Sequence, residues 1–235
     1  MTAAPPTGAP ESVLVAAATV LPLRDTPNGM EILMLKRNSK TAFGGMWVFP
    51  GGMVDPEDME GGDELAAARR AAVREAMEEA TMEISIGDLV TWSHWQPPTT
   101  AGYVPKRFST WFFLARFNAD AAEVVVDGTE IHEHMWVRPA EGLAKREAGE
   151  WELAPPTFVS LSQISRYTTV AEALGAGRAL PEPPRFHTRI TDLDGTRTLL
   201  WHGDAGYETG DPALPGSRNR VVWHGDKPLV WERIL

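Results

Sequence analysis

Two runs, Trp47-Val48-Phe49-Pro50-Gly51-Gly52 and Arg74-Glu75-Ala76-Met77-Glu78-Glu79, frame the stretch that decides how this chain folds. The first reads as a strand ending in a double glycine. The second lies in an alanine-rich helix, and an acidic loop joins the two. At about 3.6 residues per turn, Glu75, Glu78 and Glu79, spaced i, i+3 and i+4, fall within an arc of about 100° on one helix face. Ala72, Val73, Ala76, Met77 and Ala80 take the opposite side, so the helix is expected to bury an apolar stripe and direct its acids outward. Like charges at these spacings destabilise a helix unless a cation compensates them. Mg²⁺ binds through one or two carboxylates together with substrate phosphates, and three crowded carboxylates suit it. An acidic helix face is ordinarily no more than solvated surface. Here the glycine pair, which lets backbone approach a ligand closely, and Arg74, a planar fork of donors, favour a site.

These residues resemble the box of the Nudix hydrolases, G-x5-E-x7-R-E-U-x-E-E-x-G-U, where U is a bulky apolar residue. Gly52 matches its opening glycine, Arg74, Glu75, Glu78 and Glu79 match its R-E and E-E, and Ala76 and Met82 stand at its apolar positions. There are three departures. Gly52 and Arg74 are 22 positions apart where the family has 14, so the loop from Val54 to Gly62 looks enlarged by eight residues. Counting back from Arg74 puts Ala66 where the box has glutamate, and Thr81 replaces its later glycine. The resemblance covers Ser12 to Glu147. It implies an α/β/α sandwich with a mixed β-sheet, and Mg²⁺-dependent (or Mn²⁺-dependent) cleavage of a small-molecule diphosphate. Glu75, Glu78 and Glu79 would be the metal ligands and Arg74 a further catalytic residue. It also implies that Glu130 or Glu133, ahead of Trp136, supplies another carboxylate as metal ligand or base.

Composition sets bounds on the rest. A chain of 235 residues with 43% apolar content can bury a substantial core. The absence of cysteine removes disulfides, thiolate metal sites and a cysteine nucleophile. A formal charge of -10 argues against binding a nucleic acid polymer through a broad basic surface. Residues 1–10 read as a disordered tail without the pattern of a secretory signal, and no membrane span is expected. The chain ends in Glu232-Arg233-Ile234-Leu235 and not in a Ser-Lys-Leu peroxisomal address, so the cytoplasm is the expected compartment.

In chain order, Ser12–Leu23 reads as a buried strand and Glu31–Lys36 as its hairpin partner. Lys36, Arg37 and Lys40 follow, and Arg37 is the better candidate for substrate phosphate, because guanidinium binds phosphate bidentately. Gly51 and Gly52 are candidates for close backbone contact with substrate. Asp63 is the expected N-cap of the acidic helix. Tyr103–Phe117 is a long aromatic strand with Lys106 and Arg107 at its start, Arg107 being a second candidate phosphate contact, and Val124–Val126 begins a short one. Glu130–Val137 leads into a helix over Pro139–Glu147. An extended Leu153-Ala154-Pro155-Pro156-Thr157 link is expected to precede one helix from Phe158 to Leu174, with a boundary over Gly175–Pro184. The hydrolase domain is placed at 11–180. Residues 181–235 form a β-hairpin appendage, packed on the core or building a homodimer, with turns at Asp194-Gly195 and at Gly225-Asp226-Lys227-Pro228. The repeat of Trp201-His202-Gly203-Asp204 as Trp223-His224-Gly225-Asp226 reads as a recurring strand-end turn, more simply than as a metal site.

The enlarged loop, the Arg107–Ala115 strand and the Leu-Ala-Pro-Pro-Thr link are similar to the coenzyme A diphosphatase branch of the family. Coenzyme A or acyl-coenzyme A is therefore the leading substrate reading, with ADP-ribose, nucleotide sugars and dinucleotides as rivals. A non-catalytic Nudix-fold binding module is the alternative of another class.

Overall fold

The computed structural model describes residues 13–38, 44–98, 106–118, 124–126, 128–223 and 229–234. The 1–10 tail, Lys40, the start of the Tyr103 strand, the 225–228 turn and the second His-Gly-Asp copy lie outside the described residues. In order, the elements are β1 (Val13–Thr26), β2 (Gly29–Arg37), β3 (Trp47–Val48), β4 (Gly51–Met53), a 3-10 turn (Pro56–Met59), α1 (Glu64–Ala80) and a second 3-10 turn (Ile86–Asp88). Then come β5 (Val90–Gln96), β6 (Lys106–Arg116), β7 (Ile131–Val137), α2 (Pro139–Glu147), α3 (Pro155–Ile164), α4 (Val170–Ala179), β8 (Arg185–His187), β9 (Arg189–Leu193), β10 (Thr196–Leu200), β11 (Arg218–Trp223) and β12 (Val230–Ile234). They divide into two compact units, Ala17–His94 with Trp111–Pro184, and Met1–Ala16 with Trp95–Thr110 and Arg185–Leu235. Among the described residues, no helix is long and apolar enough to cross a membrane.

The larger unit is an α/β fold on a mixed sheet, ordered β3-β2-β1-β6-β5, with β7 on the other side of β2 and β4 on β1. Its strands alternate between two apolar faces. Val20, Leu33, Leu35, Phe113 and Ala115 point to α1, where Ala68, Ala71, Ala72, Ala76 and Ala80 meet them. Leu114 points the other way and packs beside Val90 and Trp92 against α4 at Gly177. These are the two helix layers and mixed sheet that the sequence implies.

Four local expectations change. The single helix from Phe158 is two helices. Pro155 and Pro156 open α3, where their fixed φ fits the first turn, so the expected extended link is already helical. Thr169 opens α4 with a capping box closed by Glu172, which restarts the chain after the Ser165–Thr168 break. α4 then runs through Gly175 and Gly177 to Ala179, into the segment read as a boundary. Residues 124–126 carry no strand.

The smaller unit carries its own antiparallel sheet, ordered β12-β11-β10-β9. Asp194 (φ 50°) and Gly195 (φ 78°) turn β9 into β10, as the Asp-Gly pair requires. Trp201 is fully buried, edge-on to Trp95 and Phe186, which stack on each other at 4.0 Å. Asp204, in the first His-Gly-Asp copy, is buried against the Arg220 guanidinium at 2.6 Å and accepts the amides of Gly206 and Asn219. Burial pushes its pKa up, but the Arg220 fork and the two amides outweigh that and hold it below the usual carboxylate value. This copy is therefore a structural turn.

The two glycines of α4 are expected to respond to substitution with opposite signs. A Cβ at Gly175 meets nothing within 4 Å, whereas one at Gly177 lies 2.8 Å from Val90 Cγ1. Denaturant unfolding should show Gly175→Ala stabilising the protein by about 0.5–1 kcal/mol and Gly177→Ala destabilising it by about 1–2 kcal/mol.

Candidate active site

The site is built where β1 and β2 part. They pair from Leu23–Ile32 to Thr26–Gly29, and the chain from Trp47 to Met53 enters the gap between them, pairing with β2 through β3 and with β1 through β4. Pro50 marks the crossing, its carbonyl taking the Thr19 hydroxyl at 2.6 Å and the Val20 amide at 2.9 Å. Neither following position admits a side chain. A Cβ at Gly51 would strike the backbone of Ala18 and Thr19, and one at Gly52 would fall on the Glu75 carboxylate. The glycines thus let α1 lay its acids directly on strand backbone. The Gly51 amide donates to Glu79 Oε2 at 2.9 Å.

α1 is capped as expected, Asp63 accepting the Ala66 amide at 2.8 Å. It ends at Thr81, held in the left-handed conformation at φ 53°, where the Nudix box has glycine. The Thr81 hydroxyl donates to the Val125 carbonyl at 3.0 Å, which offsets part of the strain of a β-branched residue there. The helix is rotated from the expected amphipathic setting. Ala72, Ala76 and Ala80 are buried, but Met77 is 39% exposed and Glu79 only 5%. Glu79 points inward; the expectation that all three acids face outward fails, because the Gly51 amide and Arg37 draw this one in.

Arg74 stands at the centre of the cluster. Its guanidinium donates to Asp58 Oδ2 (2.9 Å), Glu75 Oε1 (2.8 Å), Glu78 Oε2 (3.1 Å) and the Met53 carbonyl (2.9 Å), with Asp55 at 3.4 Å. Burial lowers its pKa, and the bonds to Asp58 and Glu75 more than reverse that, so it stays cationic. Asp58 is the residue that sequence reading missed. It is buried, and it follows Gly52 by the five intervening residues that the box requires. Ala66, eight positions before Arg74 inside α1, stands about 12 Å further along the helix axis. The box is therefore G-x5-D-x15-R-E-x-x-E-E, and its eight extra residues follow Asp58 instead of preceding it.

Glu75 and Glu79 both hold protons more tightly than an ordinary glutamate. For Glu75 the cause is burial, opposed by Arg74. For Glu79 burial pushes the pKa up to about 7 against the Gly51 amide and Arg37, with Glu75 and Glu130 adding to the rise. Arg37 lies between carboxylates, 3.5 Å from Glu79 and 2.7 Å from Glu130. Glu133 pairs instead with Lys36 at 3.4 Å. Arg107 belongs to the smaller unit, where it donates to the Pro98 carbonyl at 3.4 Å.

Among the described residues, no three acidic or histidine side chains are placed to share one metal ion, and Arg74 occupies the middle of the acidic group. The donor chemistry nonetheless fits a hard divalent cation: only carboxylate oxygens, two of them desolvated, one lying on a glycine backbone that leaves it room.

The NUDIX domain model matches residues 13–156, more than half of the chain. The chain belongs to the Nudix family. Nudix hydrolase 7 of Caenorhabditis elegans is 29% identical over 187 residues, 64% of this chain and 60% of that protein. An acyl-coenzyme A diphosphatase of Gallus gallus is 29% identical over 143 residues, 59% of this chain and 37% of that protein. The matched regions thus span less than two thirds of either relative. The crystal structure of a NUDIX hydrolase from Alicyclobacillus acidocaldarius aligns with a TM-score of 0.62 at 22% identity, over 70% of this chain and 96% of that one, and shows the Nudix fold. Divalent metals are typical of the family, and the oxygen donors above accord with that.

The Glu79 carboxyl makes stability depend on pH. Its folded pKa, about 7, lies above the ordinary glutamate value of 4.5, so the folded chain binds this proton more tightly than the unfolded one. The resulting stabilisation is full below about pH 4.5 and lost as pH rises through about 7, a change of about 3 kcal/mol. Glu75 shifts in the same direction. Urea unfolding of chelator-treated protein at about pH 5 and about pH 8 should show this loss in the native chain and a smaller one in Glu79→Gln.

Proposed function

We propose that the chain is a Nudix diphosphatase, hydrolysing the diphosphate linkage of a nucleoside diphosphate derivative with Mg²⁺ or Mn²⁺. The observation that carries this reading is the assembled R-E-x-x-E-E set: Arg74 clasps Glu75 and Glu78 while the Gly51 amide holds Glu79 on the same helix. Glu75, Glu78 and Glu79 would hold the metal. When bound, the cation lowers the pKa of its water and neutralises charge on the phosphoryl oxygens. Arg74, fixed by Asp58, sets the rotamers of Glu75 and Glu78. The bare backbone at Gly51 and Gly52 lets the helix acids that would hold the metal sit directly against the strand. Of the two acids before Trp136, Glu130 is the further site carboxylate, as ligand or as base for the attacking water. It shares Arg37 with Glu79, whereas Glu133 is paired with Lys36.

Coenzyme A or acyl-coenzyme A is the substrate class we favour. Support comes from the similarity to the avian acyl-coenzyme A diphosphatase and from the box loop, enlarged between Asp58 and Arg74.

A Mg²⁺-dependent screen against acyl-coenzyme A, ADP-ribose, dinucleotides, nucleotide sugars and nucleoside triphosphates, with products identified by mass, tests this. Cleavage of acyl-coenzyme A between its phosphates is the expected result. Selective cleavage of another diphosphate would reassign the substrate, and ligand binding without turnover would mark a binding module. Glu79→Gln should lower kcat by about 100-fold or more, and an unchanged rate would remove Glu79 from the mechanism. Asp58→Asn should lower kcat by about tenfold at a nearly constant KM, because it frees Arg74 without touching substrate.

A further inference from the structure

The end of β2 joins two parts of the larger unit that the box does not connect. Successive strand residues face opposite sides, so Lys36 and Arg37 diverge, Lys36 to Glu133 and Arg37 toward α1. The pairing with β7 slips at this step. Lys36 opposes Glu133, but Arg37 opposes Ile131, leaving His132 as an extra residue on β7. Such bulges re-aim side chains and are common beside active sites. Past the bulge, the Asn38 amide donates to the Glu130 carbonyl at 2.7 Å and Asn38 Nδ2 to the Thr129 carbonyl at 3.1 Å. Arg37 has its own backbone fixed, donating to the Met46 carbonyl and accepting from the Gly45 amide. Its guanidinium, only 17% exposed, spans Glu130 Oε2 at 2.7 Å and Glu79 Oε1 at 3.5 Å.

We propose that Arg37 and Asn38 form a clasp that docks residues 129–130 against the catalytic helix, Arg37 acting as a positioning residue for Glu130 and Glu79. This rests on the reading of those two glutamates as site carboxylates. A guanidinium suits the task because its planar fork engages two acceptors in fixed geometry, which an ammonium does not reproduce. One cation between two carboxylates also offsets their mutual repulsion, so the acid on the strand lead-in stays close to the acid on the helix. The clasp differs from a phosphate contact in what its loss does. A phosphate contact contributes to substrate binding. A clasp acts only through Glu130 and Glu79.

A double-mutant cycle separates the two. Native protein, Arg37→Gln, Glu130→Gln and the double variant would be compared by steady-state kinetics on the cleaved diphosphate, and by denaturant unfolding without metal or substrate. The clasp predicts that each single change lowers kcat by about tenfold with KM altered less than about twofold, and that the double variant is no slower than the slower single one. Asn38→Ala, a milder change, should lower kcat by about threefold and likewise add nothing to Glu130→Gln. A KM raised about tenfold at unchanged kcat in Arg37→Gln, with effects that multiply in the double variant, would make Arg37 a phosphate contact and overturn the proposal. The unfolding cycle needs no turnover. If the native protein cleaves no diphosphate, the proposed activity fails while coupled unfolding effects still support the clasp; additive unfolding effects refute the clasp whatever the activity.

Discussion

The Arg74 guanidinium inside a ring of carboxylates is the interaction around which the larger unit is arranged. Asp58, Glu75 and Glu78 bond to it and Asp55 stands beside it. Like charges this close repel, and taking them out of water costs several kcal/mol per ion unless opposite charge and hydrogen bonds compensate. Arg74 does so for the acids at one end and Arg37 for Glu79 and Glu130 at the other. What remains uncompensated shows in the raised proton affinity of Glu75 and Glu79. Such perturbation is common where a fold is set up to hold charge for chemistry.

Holding that ring in place requires α1 to sit in one position over the sheet, and both its composition and its side-chain ties provide this. Its buried face is almost wholly alanine, which lets the helix approach the strands closely and leaves little interlocking to stop it sliding. Polar ties at successive turns supply the register. Glu64 accepts from the Trp111 indole, Arg69 donates to the Leu89 carbonyl and the Thr91 hydroxyl, Arg70 to the Asp58 carbonyl, and Arg74 to the Met53 carbonyl. The last tie is Glu79 on the Gly51 amide. A buried polar group that finds its one partner resists displacement far more than an apolar contact that can be remade a little further along.

The smaller unit is organised by a different buried pair. Asp204 and Arg220 lock the turn after β10 to β11, and the Trp95, Phe186 and Trp201 rings form its aromatic centre. The attraction in an ion pair this buried is set against its own desolvation, and removing either partner would leave an uncompensated buried charge.

Much of the site was legible in the chain because helix spacing is local. Arg74, Glu75, Glu78 and Glu79 are fixed on neighbouring turns by the helical period alone, and Asp63, Asp194 and Gly195 announce a cap and a hairpin by chemistry confined to a few residues. The two-helix break at Thr169 is also written locally, in its capping box with Glu172, within an apolar run that by itself reads as one helix. The rest depends on residues far apart in sequence. That Asp58 and not position 66 supplies the acid for Arg74 follows from how the enlarged loop folds back on α1. That Glu79 turns inward follows from the Gly51 amide waiting on β4, and that Glu130 and not Glu133 joins Glu79 follows from a bulge on β7. The sequence by itself determined the helix and the carboxylates it carries, through periodicity and spacing, and its resemblance to the Nudix box pointed to the family. Only the tertiary structure decided which carboxylates share a cation, because a two-residue strand period and one unpaired residue choose the face on which a charge emerges.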